Sequence, residues 1–273
     1  MGLGRLVPQS LQPLARRLYR WWVHPAPRQR LSSAQLADLP GLKCIVSYNE
    51  YGAYCIPLSS LHRVAARRVL GNDVYEPLTL AFMRAHCGSG DIVHAGTYFG
   101  DFLPALSSGV AAGAMVWAFE PNQENYRCAR VTCELNDASN VTLTHAGLGE
   151  QASTLHVQTV DGEGHALGGA SHLVAEGTTV GLQEIAVVTI DDVVGEARAV
   201  SIIQLDVEGH EEAALRGALR TIRRCHPIII VEVLPESSLL ESDWFQEQIL
   251  GLGYRKTGDL HANMVFEAGA SRS

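Results

Sequence analysis

Residues 91–100, DIVHAGTYFG, and residues 116–122, VWAFEPN, decide the fold. The first stretch reads as a strand running into a glycine-hinged turn, and the second as the next strand, ending at Glu120. Gly100 and Glu120 lie 20 residues apart, the separation at which one βα unit carries a chain to the tip of the neighbouring parallel strand. In a doubly wound sheet, glycines after the first strand let a ligand approach the backbone, and an acid ending the second accepts both hydroxyls of a ribose. The pair predicts a nucleoside-bearing cofactor. A dinucleotide needs the fuller GxGxxG turn, so that its pyrophosphate can rest on the helix N-terminus. Here the middle glycine is missing and Tyr98 and Phe99 fill the turn. A diphosphate is disfavoured.

From residue 91 onward, short β-branched runs alternate with helical patterns. Strands are expected at 91–95, 115–119, 141–145, 201–205 and 228–233, and helices at 101–112, 122–136, 209–224 and 242–250. A terminal strand pair near 253–257 and 262–267 has no helix between its members and predicts a hairpin closing one edge. Alternation of this kind makes a mainly parallel sheet with helices on both faces. Residues 151–190 interrupt it with a β-rich excursion around the loop GEGHALGGASHL. Upstream, LKCIVSYNEYGAYCIPL at 42–58 predicts a hairpin turning at Asn49–Gly52, and VYEPLTLAFMRAH at 74–86 a helix with Pro77 in its first turn. Three regions follow: a basic amphipathic segment (1–30), a hairpin-and-helix extension (31–89) and the α/β domain (90–268).

The net charge of −8 is unevenly spread. Residues 1–30 hold six arginines and no acid, while the rest of the chain sets 15 basic residues against 29 acids. That acidic body is no partner for nucleic acid. Within residues 9–23, Leu11, Leu14, Leu18, Trp21 and Trp22 share one helical face opposite Arg16, Arg17 and Arg20. Docking onto protein, either this chain's own body or a second subunit of a homo-oligomer, is favoured for that face over peripheral contact with an anionic membrane. Six scattered cysteines form no CxxC pair or zinc spacing, and no secretory leader precedes them, so reduced thiols and a cytoplasmic location are expected. Residues 102–119 lack charge, but Pro104, Ser107, Ser108, Gly109 and Gly113 break them up, and no membrane span is assigned.

A second chemical signal is LDVEGHEE at 205–212, directly after an apolar strand. Asp206 falls where that strand meets the ligand crevice, with Glu208 and His210 close behind. All three are candidates to orient a cofactor or accept a substrate proton. Glu211 and Glu212 are accounted for as first-turn acids of the next helix. Asp206, Glu208 and Asp191 or Asp192 also offer oxygen ligands, but no spacing resembles a dedicated magnesium loop, and no metal is assigned.

Taken together, DIVHAGTYFGDF, VWAFEPNQENY, NVTLTHAGLGE, VTIDDVV, IIQLDVEGHEEAALRGA and PIIIVEV resemble the FkbM-type S-adenosylmethionine-dependent methyltransferases, in order and spacing, over roughly residues 90–267. The resemblance implies a Rossmann-like class I methyltransferase fold, with a mainly parallel seven-stranded sheet, an antiparallel last strand and helices on both faces. It implies S-adenosyl-L-methionine as cofactor. Gly96, Thr97 and Gly100 would flank the methionine part, Glu120 the ribose with Pro121 and Asn122 completing its strand end, and Gly147 and Leu148 the adenine. Asp206 would face the reactive centre. The family string is DVGAN-like, and this chain departs from it with His94 for the Asp and Thr97 in place of the Asn. His94 must be neutral to accept a bond from the cofactor's amino group, and Asp101 is a substitute for that role or a helix cap.

The resulting expectation is a methyltransferase, acting on a hydroxyl of a sugar or secondary metabolite, with N-methylation the nearer alternative. Asp206 leads as base, followed by His210 and Glu208, with His165 or His172 reaching over from the excursion. Tyr75 and Glu76 belong to a helix that covers the cofactor or merely cap it. The runner-up class is an NAD-dependent oxidoreductase or epimerase; the missing glycine and the absence of a Tyr-x-x-x-Lys pair oppose it.

Overall fold

The structure is a computed structural model, and it describes residues 41–159, 167, 172–174, 182–234 and 237–269. The amphipathic stretch 9–23 and His165 lie outside the described residues.

Strands β1 (Cys44–Asn49) and β2 (Gly52–Pro57) form the expected antiparallel hairpin. Helix α1 (Val64–Leu70) follows, unforeseen in the sequence, and then α2 (Pro77–His86). The alternation begins with β3 (Asp91–Ala95), α3 (Leu103–Gly109), β4 (Val116–Phe119), α4 (Gln123–Leu135) and β5 (Val141–Thr144). The excursion contributes β6 (Gly147–Leu148), β7 (Ser153–Gln158), β8 (His172–Val174) and β9 (Leu182–Val188), which join in a separate four-stranded sheet. Next come α5 (Ile190–Val194), β10 (Val200–Leu205), α6 (Glu211–Arg216), α7 (Leu219–Cys225) and β11 (Ile228–Glu232). Helix α8 (Asp243–Gln248) and the hairpin β12 (Tyr254–Leu260) and β13 (Asn263–Ala268) end the fold.

The main sheet has seven strands in the order β12-β13-β11-β10-β3-β4-β5. Pairings from β11 through β5 are parallel, while β13 runs antiparallel to both β11 and β12. Apolar residues on β3, β4, β10 and β11 alternate between two cores. Val93, Phe119, Ile203, Leu205, Ile229 and Val231 pack against α5, α6, α7 and α8. Ile92, Ala118, Ile202 and Ile230 pack against α2 and α3. A third core joins Tyr54, Cys55 and Ile56 of the hairpin to Val69 of α1, Phe99 and Cys128 of α4. At the N-terminal edge, buried Asp91 accepts hydrogen bonds from Met115 N (2.9 Å), Trp117 Nε1 (2.8 Å) and Arg198 Nε (2.7 Å), tying three segments together.

Two helical expectations need correction. The helix expected at 209–224 is broken into α6 and α7, because Gly217 passes against another part of the backbone: a Cβ there would lie 2.0 Å from Gly149 O. Periodicity carries no trace of such a tertiary contact. The helix expected at 101–112 is confined to α3, whose N-terminal flank is Phe102, so Asp101 precedes the helix and does not cap it.

The parallel strands end at a single edge. Ala95 lies level with Phe119 and Leu205, and Leu205 with Val231. There Gly96 takes φ +83°, and a Cβ on it would come 1.8 Å from Asp206 O. That glycine is required by chain-to-chain packing. Gly100, also at φ +83°, nestles against Ala129 and Thr132 of α4. Gly96→Ala is expected to cost more than about 3 kcal/mol, from the clash and the left-handed backbone together. Urea unfolding monitored by circular dichroism reads this out; a loss below about 1 kcal/mol would contradict the packing described.

Candidate active site

The site is built from the loops that leave this edge. Beyond β4, Glu120 is 3% exposed, and both its oxygens are engaged. Oε2 accepts from Tyr98 N (2.7 Å), while Oε1 accepts from Asn122 N (2.8 Å) and Asn125 Nδ2 (3.4 Å). Burial pushes its carboxyl up to about 8 despite those donors. Oε2 carries one donor and keeps a lone pair for a further one. Asn122 caps α4 by accepting from Glu124 N and Asn125 N, and Pro121 O meets His145 Nε2 at 3.0 Å. The AFEPN end thus shapes a turn as well as presenting an acid.

His94 is neutral, as the departure from the family string demands: burial lowers it to about 4. Its Nδ1 bonds Gln204 Oε1 on the adjoining strand, so the proton sits on Nδ1 and Nε2 is a free acceptor. The ring stacks on Phe102 at 5.4 Å, and Nε2 is sealed from solvent. The structure therefore shows the right protonation state but not an open face toward a cofactor. Thr97 is fully buried, with its hydroxyl bonded back to His94 O. Laid out residue by residue, the string DVGAN falls on His94, Ala95, Gly96, Thr97 and Tyr98. The Asn position is Tyr98 and not Thr97, and its backbone agrees: Tyr98 holds φ +54°, a conformation Asn tolerates better than Tyr.

Beyond β10, Asp206 donates its backbone N–H to Ala95 O (3.1 Å). Burial, followed by the Glu232 carboxylate beside it, raises its carboxyl well above the usual range. The carboxyl groups of Asp206 and Glu232 lie close together, with an oxygen of each within 4.8 Å of the other. Glu208 stands close by at φ +52°. Buried Glu211 holds this loop, its Oε1 accepting from Val207 N (3.2 Å) and Gly209 N (3.1 Å). That is more than the helix-end role the sequence suggests for it. His210 occupies the N-cap position of α6 without a side-chain cap bond.

Glu76, at the start of α2, neither caps that helix nor stands alone: its Oε2 accepts from Asn263 Nδ2 (2.8 Å). Asp101 is buried, and burial followed by the Glu76 charge pushes it up to about 7. Tyr75 is raised by burial and by the charges of Glu76, Asp101, Asp206 and Glu232. Asp191 belongs elsewhere: its carboxylate accepts from Arg220 N (2.9 Å) and Thr221 N (2.8 Å) at the start of α7. Gly147 and Leu148 are buried in β6, paired with Val187 and Val188 of β9. Of His172, only the backbone in β8 is described. Glu232 and Asn263 escape a sequence reading, though an acid ending the apolar run IIIVE was a visible signal for the first.

This edge suits one kind of nucleoside. Glu120 offers a ribose acceptor, and the acids around Asp206 favour positive charge, as on a sulfonium or an ammonium, over a diphosphate.

A seven-stranded sheet in which only β13 runs against its neighbours is the class I methyltransferase sheet. The sequence profile of the methyltransferase FkbM domain matches residues 94–255, and the chain belongs to that family. S-Adenosylmethionine is its cofactor. Among solved structures, a methyltransferase FkbM from Methylobacillus flagellatus KT is 21% identical, with a TM-score of 0.41, over 66% of this chain and 43% of its own. This chain thus spans less than half of that protein. An O-methyltransferase from Bacillus cereus in complex with SAH is 14% identical, with a TM-score of 0.44, covering 92% and 94% of the two chains. A putative O-methyltransferase from Klebsiella pneumoniae is 14% identical, with a TM-score of 0.37, covering 97% and 91%. No curated protein matches. Among the described residues no helix is long and apolar enough to cross a membrane.

The raised carboxyls carry a thermodynamic consequence. Asp101 and Glu120 hold protons in the folded protein at pH values where the unfolded chain has released them, so the folded state binds more protons between about pH 4 and 8. Stability must then fall as pH rises through that window. Thermal melts of the ligand-free protein are expected to show a lower Tm at pH 8 than at pH 6, and a shallower fall in Asp101→Asn. A Tm that is level or rising over this range would contradict the assignment.

Proposed function

We propose that the protein transfers the methyl group of S-adenosylmethionine to a hydroxyl oxygen of a sugar or other small hydroxylated metabolite. The observation that carries this reading is the Asp206–Glu232 pair of carboxyl groups at the ends of β10 and β11, with Asp206 packed beside Gly96 and the pair on the same sheet edge as Glu120.

The bound cofactor supplies an electrophilic methyl group on a positively charged sulfur. An oxygen–carbon bond forms as the sulfur–carbon bond breaks, the sulfur leaves neutral, and the hydroxyl proton must go to a base. An alcohol is a weak nucleophile, so a base within hydrogen-bond reach matters. A carboxylate of the Asp206–Glu232 pair takes that proton, and the negative cluster stabilises the positive charge before transfer. Glu120 accepts from the ribose through its spare lone pair on Oε2. Gly147 and Leu148 border the adenine, Gly96 and Thr97 set the path of the turn beside the methionine part, and Gly100 fixes that turn on α4. Glu211 keeps Asp206 in place by tying down the backbone of Val207 and Gly209. Glu208 and His210 follow Asp206 in the same loop and border the acceptor. Loops beyond the strand ends, including the excursion around β7 and β9, select the acceptor, which is a small molecule or glycan and not nucleic acid. The stretch 9–23 docks on protein, with peripheral membrane contact as the competing role, and the setting is cytoplasmic.

Asp206→Ala is expected to abolish transfer of labelled methyl to an accepted hydroxylated substrate, by about a hundredfold or more, with an unchanged far-UV spectrum. Near-full activity in that variant would remove Asp206 from the centre of the mechanism.

A further inference from the structure

Three acids from two neighbouring strand ends converge at the C-terminal edge of the sheet, Asp206 and Glu208 in the loop after β10 and Glu232 at the end of β11. One oxygen from each of Asp206, Glu208 and Glu232 lies within 4.8 Å of the other two. Glu76 acts on this group electrostatically from the start of α2. Among the described residues, no lysine or arginine forms an ion pair with Asp206, Glu232 or Glu76. The spacing has a chemical meaning. Oxygens on opposite sides of a cation stand about 4.2 Å apart when each is about 2.1 Å from it, and about 4.8 Å apart at about 2.4 Å. The three acid oxygens fall within that limit.

Acidic clusters are common without an ion, so Asn263 matters more than the count of acids. Its side chain is 2% exposed. It lies directly opposite Glu232 in the β11–β13 register, so the two side chains stand side by side on one face. Its Nδ2 donates to Glu76 Oε2, while Oδ1 is buried with no hydrogen-bond partner. The amide is thus flanked by two acids of this edge, Glu76 through Nδ2 and Glu232 through the strand register. A buried carbonyl oxygen without a donor is costly, and a hard cation satisfies it.

We propose that Asp206, Glu208 and Glu232, joined by the Asn263 amide oxygen, form a binding site for one hard divalent cation of the magnesium or manganese type. The donor set is oxygen only, which suits these ions and not zinc. The ion's catalytic consequence rests on the methyl transfer proposed above: an acceptor hydroxyl that joins the ion's ligands gives up its proton more readily to the second oxygen of Asp206 or Glu232. Binding of the ion does not depend on that reading.

The test is an electron paramagnetic resonance titration of the full, chelator-stripped chain with Mn²⁺ alone, without cofactor or acceptor. One bound Mn²⁺ per chain is expected, displaced by Mg²⁺, with affinity lowered about tenfold or more in Glu232→Gln and in Asn263→Ala. If Glu232→Gln does not fold, Asn263→Ala and the Mg²⁺ competition carry the test. A free Mn²⁺ signal undiminished by the wild-type chain, or equal binding in wild type and folded variants, would overturn the site. Methyl transfer that persists in excess chelator, with no Mn²⁺ held, would overturn the cation and leave the transferase standing. Mn²⁺ held by the cluster without methyl transfer would do the reverse.

Discussion

The contact on which the rest depends is the approach of Gly96 to the backbone of Asp206. No side chain fits between them. The hydrogen bond from Asp206 N to Ala95 O locks the same two segments. Because β3 and β10 are neighbours only through a crossover, this contact brings together stretches 110 residues apart in sequence. The turn after Gly96 is then held against β4. The amides of Gly96 and Thr97 both donate to Phe119 O at 3.2 Å, and that of Tyr98 donates to Glu120. A left-handed tyrosine is tolerated there because the surrounding bonds over-determine it. The strand ends are stitched before any ligand arrives, and their acids are positioned by the stitching.

That positioning costs stability in the empty protein. Burial raises Asp101, Glu120 and Asp206, and Glu76 beside them, while the nearby charges are of like sign. Such an arrangement is unfavourable for folding and useful for binding something positive. Donors offset part of the cost at Glu120 and Glu211. Elsewhere the molecule uses its charges conventionally. Asp91 meets Arg198 directly, and Asp191 meets the amides opening α7.

The sheet was legible because its strands are short, β-branched and separated by amphipathic helices, so local periodicity and global architecture agree. The places of Glu120 and Asp206 at the strand ends were legible too, each being polar directly after an apolar strand. What stayed hidden depends on contacts between distant segments. The break at Gly217 is set by Gly149, and the role of Glu211 by a loop that curls back over it. Glu76, Glu232 and Asn263 come from a helix start, a strand end and a hairpin, and only the sheet order puts them together. His94 shows both sides. Its neutrality followed from the chemistry required of it, but its stacking on Phe102 and the sealing of Nε2 did not.

The central claim is that this edge takes a nucleoside carrying no diphosphate. Calorimetric titration of the full chain with S-adenosylhomocysteine and, separately, with NAD tests it most directly. The account predicts saturable one-to-one binding of S-adenosylhomocysteine and no heat from NAD. Saturable binding of NAD with no response to S-adenosylhomocysteine would contradict it.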